Sequence, residues 1–553
     1  MWANGLDTKN GAAELSIRRA GIIKRAYDMI TRRTFTKSAL ALAAFSTSNV
    51  AFGQSLAAKQ DLRVALGFDD MASVDPHTAV TSINVPIVRT VYEGLLAYPP
   101  GFLGASAVIP ALAERWEGSG DKKTWVFHLR RGVQWHAGFG EFTSADAKFS
   151  IERVAGTTFA SPFRQTLENV EAVYADDPYT LKVVLRTPDA LFALRMVNFQ
   201  AGFIVCKKAL ESGADIRTRP IGTGPFQFQA YKARESVVLT RNDNYWGGKP
   251  ILTSITWYFM PDDASRELAL RTGEVHAIDL QARQDIVNRV RAQRLQVDIA
   301  KSGTPYWLFF NLRKKPFDDI RVRRALAHAT DRGELVAFLG KDLADAEYSA
   351  VPDGYLGHTE KVEKYPFDIA KAKALLAEAG HPSGFAVNVA MSNAPTYLPY
   401  MQVIQAQWKK VGVDLSFRVV DHPTYHRLIR EDLNAIVMYQ ATRYPKTGQI
   451  YLEQFYAKEA AVGKKTTITN FSNYGDAMPG VDDIIAKARA STDSATQIKL
   501  WEEAQQRIAR DAVALPLFNQ NAARARSPIL DLQMNPGNLS FYMFSAKARI
   551  LAG

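Results

Sequence analysis

The stretch YPFDIAKAKALLAEAGHPSGFAVNVAM, residues 365–391, does most to limit what this chain can fold into. Asp368 stands where a helix N-cap is needed. Ile369, Ala372, Leu375, Leu376 and Ala379 then recur at helical spacing, Gly380 offers a stop and Pro382 blocks a restart. FAVNVAM reads as a strand, TYLPYMQVIQAQWKKVG as a helix, and residues 413–420 as a second strand. Strand–helix–strand alternation builds a sheet covered by helices, which predicts an α/β lobe. One lobe does not suffice: 553 residues exceed what a single apolar core serves, so two or more are expected.

The remaining chain continues in the same style. DLRVALGFDD predicts a strand entering a turn, and DPHTAVTSINVP a loop that ends at Pro86. PIVRTVYEGLLAY predicts a helix with Val88, Val91, Tyr92, Leu95 and Leu96 on one face. KTWVFHLRRGVQW predicts a hairpin turning at Gly132. FTSADAKFSIERV opens a helix capped by Thr143 or Ser144, with Asp146 in its first turn. DDPYTLKVVLRTP is another strand. In RPIGTGPFQFQAY, Gly222 and Gly224 are expected to supply backbone angles closed to other residues before the strand FQFQAY. WLFF reads as a buried strand, followed by a helix capped by Asp318 or Asp319. No internal repeat interrupts this pattern.

The N-terminus reads as a targeting segment. Thr31-Arg32-Arg33-Thr34-Phe35-Thr36-Lys37 forms a twin-arginine pattern, a weakly apolar block follows, and Ala51 and Gly53 offer a cleavage site before Gln54. Residues 1–28 look like an extra leader. Beyond residue 53 the charges are interspersed, 60 Lys/Arg against 53 Asp/Glu, a net +7 that is weak for a nucleic-acid binder. No apolar run after the leader is long enough to span a bilayer, so the body is expected to be soluble. The lone Cys206 has no internal disulfide partner, and no cysteine at the cleavage site offers a lipid anchor. A bacterial periplasm suits such a chain.

Enzyme signatures fail on inspection. EGSGDK lacks the nucleophile-elbow frame, GTGPFQ misses the third glycine of a dinucleotide fingerprint, and VGKKTT lacks the first glycine of a phosphate loop. His422 and His426 have i, i+4 spacing without a third ligand nearby, which reads as a solvated helix face. His136 reads as a hairpin residue. No catalytic residue, cofactor or metal is therefore expected.

Four segments together carry a resemblance that none carries alone: VIPALAERWEGSGDKKTWVFHLRRGVQWHAG, PIGTGPFQF with RNDNYWGGKP, KPFDDIRVRRALAHATDR, and DIAKAKALLAEAGHPSGF. From about Arg63 to the C-terminus the chain resembles the extracellular solute-binding family 5, which includes peptide-, dipeptide- and nickel-binding proteins of ABC importers. The resemblance implies a two-lobed α/β clamp of the large class, with a ligand cleft between the lobes. After the leader and signal segment at 1–53, one lobe would comprise 54–96, 220–302 and 516–553. An inserted domain would occupy 97–219 and the other lobe 303–515. The implied function is capture of a small solute by a monomer that closes on it, does no covalent chemistry, and docks on an inner-membrane ABC permease coupled to its ATPase. A secreted hydrolase, or a sensing or chaperone-like clamp without transport, are the alternatives.

In peptide binders of that family, the strand resembling AIVMY runs into a Trp-x-x-Asp-Tyr segment whose aspartate holds the peptide's α-ammonium. Here the stretch is MYQATRYPKTG. Tyr439 or Gln440 falls at the tryptophan, Thr442 or Arg443 at the aspartate, and no acidic residue occurs between Ala435 and Leu452. Arg443 is expected to present its planar fork to a ligand carboxylate or phosphate, or else to pair with a protein acid such as Glu453. Tyr439 and Tyr444 would form the wall. Peptides are the family default; on this reading of Arg443 the ligand would instead be an anionic or polar solute, such as an acidic amino-acid conjugate, an opine-like compound or a sugar acid. Thr81, Ser82 and Asn84 are candidates in the loop after Asp75, itself read as a turn former. Tyr306 and Trp307 are candidates at the start of the second lobe; Trp135 is a weaker one, since a hairpin tryptophan is usually core.

Overall fold

Two long strands pass between the halves of this molecule, and the rest of the architecture hangs from them. The computed structural model describes residues 55–79, 84–100, 108–464, 469–536 and 544–553; the leader and twin-arginine segment, with Thr81 and Ser82, lie outside the described residues. Among those described, nine strands share one mixed sheet. Eight lie on its path: β1 (Asp61–Leu66), β2 (Phe226–Lys232), β3 (Ser236–Arg241), β4 (Ser254–Phe259), β5 (Ala277–Leu280), β6 (Gln296–Phe310), β7 (Ile436–Gln440) and β8 (Ala514–Arg526). Their spatial order is β7-β6-β8-β5-β1-β4-β3-β2, and Ala344–Ala346 pairs with β8. β1 runs parallel to β4 and β5; the other neighbours are antiparallel.

β6 pairs with β8 in three registers. Gln296–Ala300 lie against Ala522–Arg526, Thr304–Tyr306 against Phe518–Gln520, and Trp307–Phe309 against Ala514–Pro516; the larger break falls between Ala300 and Thr304. A shift of this kind breaks the ladder and lets paired strands bend. On one side of it the apolar core gathers Leu62, Val88, Trp257 and Ile550 from distant parts of the chain. On the other, a larger core runs from Tyr306 to Phe518. A third core, Leu95 to Ala209, sits on a four-stranded antiparallel sheet built from residues 113–118, 124–129, 170–177 and 180–185. The result is a two-lobed α/β clamp. No helix among the described residues is long and apolar enough to cross a membrane.

Local signals located many elements. Asp368 accepts from the Lys371 amide at 2.9 Å and caps Ile369–Glu378, with Ala372 and Leu376 buried. Asp319 caps Ile320–His328, and Thr143 forms a capping box with Asp146. Strands Ala386–Ser392 and Asp414–Val420 pair in parallel.

Three expectations need correction. The helix expected over PIVRTVYEGLLAY covers only Val85–Val91; Tyr92 turns extended, and Leu95 and Leu96 belong to the third core. TWVFHL pairs with residues 113–118 and 180–185 rather than folding back through Gly132, and His136 lies buried in a short turn, bonded to Gly224 O at 2.9 Å. Gly222 and Gly224 are small for packing, not for their backbone angles: neither has positive φ, and a Cβ on Gly222 would stand 1.9 Å from Val91 O.

Candidate functional site

The register shift in β6 opens onto a cavity of about 1470 Å³. Thr304 of β6 and Gln520–Arg524 of β8 form its back. Gly67, Phe68, Asp263, Arg266 and Asp279 line it from the lobe containing β1, and Phe338, Tyr400, Thr442, Arg443, Tyr444 and Gln454 from the other. Among the described residues its charged lining is four arginines, 266, 283, 443 and 524, against three aspartates, 263, 279 and 285.

Each aspartate has an arginine. Asp263 pairs with Arg266, Asp285 with Arg283 at 2.7 Å, and Asp279 with Arg524 at 3.4 Å. Burial pushes the Asp279 carboxyl above its ordinary range, against the pull of Arg524 and Arg266. The remaining cation is Arg443, and no carboxylate among the described residues reaches it. Its Nε donates to Gln454 Oε1 at 2.5 Å, its Nη1 to Thr442 O at 3.3 Å, and its guanidinium lies 5.2 Å from the Phe455 ring centre. Glu453 is engaged by Arg489 at 2.7 Å and by Gln449 at 2.9 Å, so the alternative pairing of Arg443 with Glu453 does not form.

The comparisons with known proteins agree with this geometry. A family model described as "Bacterial extracellular solute-binding proteins, family 5 Middle" matches residues 107–496. The chain belongs to this family. It is 28% identical to the dipeptide-binding protein of Escherichia coli K12, over 73% of this chain and 79% of that one. It is 27% identical to the glutathione-binding protein GsiB of Salmonella choleraesuis, over 87% and 93%. Among solved structures, MoaA of A. tumefaciens R10 in complex with mannopinic acid is 33% identical. It superposes with a TM-score of 0.76, covering 90% of this chain and all of that one. The protein is thus a substrate-binding subunit of an ABC importer, and its relatives are transport proteins, not enzymes.

In this binding protein the sequence candidates separate into two groups. Thr442, Arg443 and Tyr444 line the cavity, and Thr442 Oγ1 lies 3.0 Å from Thr304 Oγ1. Tyr444 packs edge-on against Phe199 at 5.6 Å. Tyr439, Gln440, Tyr306, Trp307 and Asn84 are not on the cavity wall. Tyr439 is 7% exposed and packs on Phe471, and Trp307 is enclosed between Tyr451 and Phe455. Tyr306 stacks on Phe518 and reaches the wall only through its hydroxyl, which donates to Gln520 Oε1 at 3.0 Å. Asn84 is buried, donating to Ser73 O at 2.7 Å. Asp75 does more than form a turn: Arg153 grips both its oxygens, at 2.6 and 3.0 Å. Trp135, the weaker cleft candidate, is core. The second cation of ATRYPKTG, Lys446, is buried 5.2 Å from the Tyr355 ring centre, and burial pushes its amine down to about 8.

His422 and His426 do share a helix face, but a half-buried one. Their Nε2 atoms are 3.0 Å apart and His422 Nδ1 lies 2.8 Å from Ser392 Oγ, which replaces the solvated reading. Missed altogether were Gln454, Asp279, Arg524, Arg266 and Phe338. Asp279 left a trace, an acid inside the apolar strand AIDL. Gln454 left another, four residues after Ile450 on the helix that follows ATRYPKTG.

Proposed function

We propose that this protein captures an anionic small solute of the opine or sugar-acid kind, by closing its lobes so that Arg443 meets the ligand's carboxylate. The observation carrying this reading is the cavity's surplus cation: three arginines are matched by aspartates, and Arg443 is held by neutral oxygens alone. Clamp closure selects whichever ligand has more favourable contacts in the closed state, so an unmatched guanidinium favours acids. The 33% identity to a mannopinic-acid binder supports the same class. The absence of any acid from 435 to 452 argues against ordinary peptides, whose ammonium needs a carboxylate in a closed cleft. Export by the twin-arginine translocase, cleavage near Gly53, a periplasmic location and a monomeric working form complete the proposal.

A thermal-shift screen on ligand-stripped, refolded protein tests it. Mannopinic acid, sugar acids, and di- and tripeptides would be compared at equal concentration. A ligand at about 100 times its Kd adds about 2.7 kcal/mol of stability, which raises the melting point visibly. Stabilisation by the acids supports the proposal; stabilisation by neutral peptides alone overturns it.

A further inference from the structure

We propose that Gln454 sets the charge selectivity of this cleft, by holding Arg443 with an uncharged acceptor and leaving only donors for the ligand. The inference rests on the reading of Arg443 as the ligand's anchor and names what makes that anchor selective.

A guanidinium has two edges that fit a carboxylate in parallel, one using Nε and one nitrogen Nη, the other using both Nη atoms. Gln454 Oε1 occupies Nε at 2.5 Å, which removes the first edge. Phe455 covers one face, and Thr442 O takes one of the Nη1 hydrogens at 3.3 Å. What remains is the end-on pair, one Nη1 hydrogen beside Nη2. Because arginine only donates, Gln454 must turn Oε1 toward it, and its own NH₂ is the other end of that amide. No partner for that NH₂ is recorded among the described residues. The ligand therefore meets N–H groups from two side chains and no acceptor from either, which suits a carboxylate.

The helix Gly448–Phe455 makes this arrangement depend on one position. Glu453 is the preceding residue, but a step of about 100° along the helix turns it toward Arg489 and Gln449. Its charge is matched there, off the wall of the main cavity. Thr469 Oγ1 donates to Gln454 O at 2.6 Å and fixes the helix end at this point. Gln454 lines both the main cavity and a side cavity of about 290 Å³. Changing the amide to a carboxylate of the same shape would give Arg443 an internal counter-ion and set a negative charge beside the ligand's own.

The test is calorimetric titration of wild type, Gln454→Glu, Gln454→Ala and Arg443→Ala with mannopinic acid and with the same acid esterified. Expected is a loss of roughly a hundredfold or more in acid affinity for Gln454→Glu, since like charges in contact are strongly disfavoured. Gln454→Ala should lose about tenfold or less. The acid-over-ester preference should collapse in Gln454→Glu and persist in Gln454→Ala, and unliganded Gln454→Glu should melt no lower than wild type. If Arg443→Ala weakens acid binding by roughly thirtyfold or more while Gln454→Glu keeps wild-type affinity and preference, the role given to Gln454 is overturned and that of Arg443 stands. If Arg443→Ala binds the acid as wild type does, the anchor itself fails and Gln454's role with it.

Discussion

Arg443 and Glu93 are both charges without an opposite charge in contact, and the molecule treats them in opposite ways. Glu93 lies just past the helix Val85–Val91, ringed by neutral donors: Thr223 Oγ1 at 2.9 Å, Tyr245 OH at 2.8 Å and Trp246 Nε1 at 2.8 Å. The cation acting on it, Arg130, lies over the Trp246 ring at 4.3 Å. Burial outweighs those donors and pushes the Glu93 carboxyl up to about 7. An enclosed acid thus escapes by taking a proton. An arginine side chain has no such exit. Arg443 instead faces a cavity where water or a ligand reaches it. An enclosed acid without a counter-ion is met by a proton, whereas an arginine without one keeps its charge and, facing a cavity, offers it to a ligand.

The largest effect is expected at a charge that has its partner. Arg153 and Asp75 are 11% and 3% exposed at the side chain, and Arg153 also donates to His77 Nδ1 at 2.9 Å. Arg153→Ala leaves the buried carboxylate alone and should cost about 3–5 kcal/mol in urea unfolding. A cost below about 1 kcal/mol would mean Asp75 escapes as Glu93 does.

Glu93→Gln comes next. Glu93 holds its proton to about pH 7 when folded, against 4.5 ordinarily, so its stability contribution is full below pH 4.5 and lost as pH rises through about 7. Wild type should lose about 3 kcal/mol relative to Glu93→Gln between pH 4.5 and 8. Taking the difference between the two proteins cancels His77 and His136, whose rings burial holds down to about 4. Parallel profiles would show that Glu93 stays ionised.

Arg443→Ala should weaken acid binding by roughly thirtyfold to a hundredfold, about 2–3 kcal/mol, while unliganded stability moves by about 0.5 kcal/mol or less. A large stability loss would move Arg443 to the structural side of the comparison. The smallest effect belongs to Asp368, an exposed charge that answers to a backbone amide. Asp368→Ala should cost about 1 kcal/mol without touching ligand affinity.

Much that depends on neighbours in sequence was legible. The cap at Asp368, a cap at Asp318 or Asp319 and another at Thr143 or Ser144, the helix stop at Gly380 and the strand leading into Arg443 all follow from local spacing. Less legible was which face of a strand meets the cleft. β6 and β7 are covered on both sides, so Trp307 and Tyr439 alternate with residues as buried as themselves, and period two carries no sign of the core. The cavity's chemistry was harder still. Asp279, Arg524 and Gln454 come from β5, β8 and a helix some 170 residues from the first of these. Only the sheet order brings them together. PIVRTVYEGLLAY failed for a related reason: its apolar spacing serves two different cores, and the helix ends where the chain passes from one to the other.

The pairing of β8 with both β5 and β6 also has a consequence for the order of assembly. When a ribosome has joined residue 510, it has made β1, β5 and β6 and nearly every helix, yet no strand that hydrogen-bonds to both β5 and β6. Their facing edges wait with unpaired amides for a strand still to be synthesised, and such edges invite wrong partners. Native closure of the sheet is therefore a late, post-translational event, completed by the last tenth of the chain. Truncation just before Ala514 would remove the back of the cleft, Gln520–Arg524, and leave two half-sheets with no common strand.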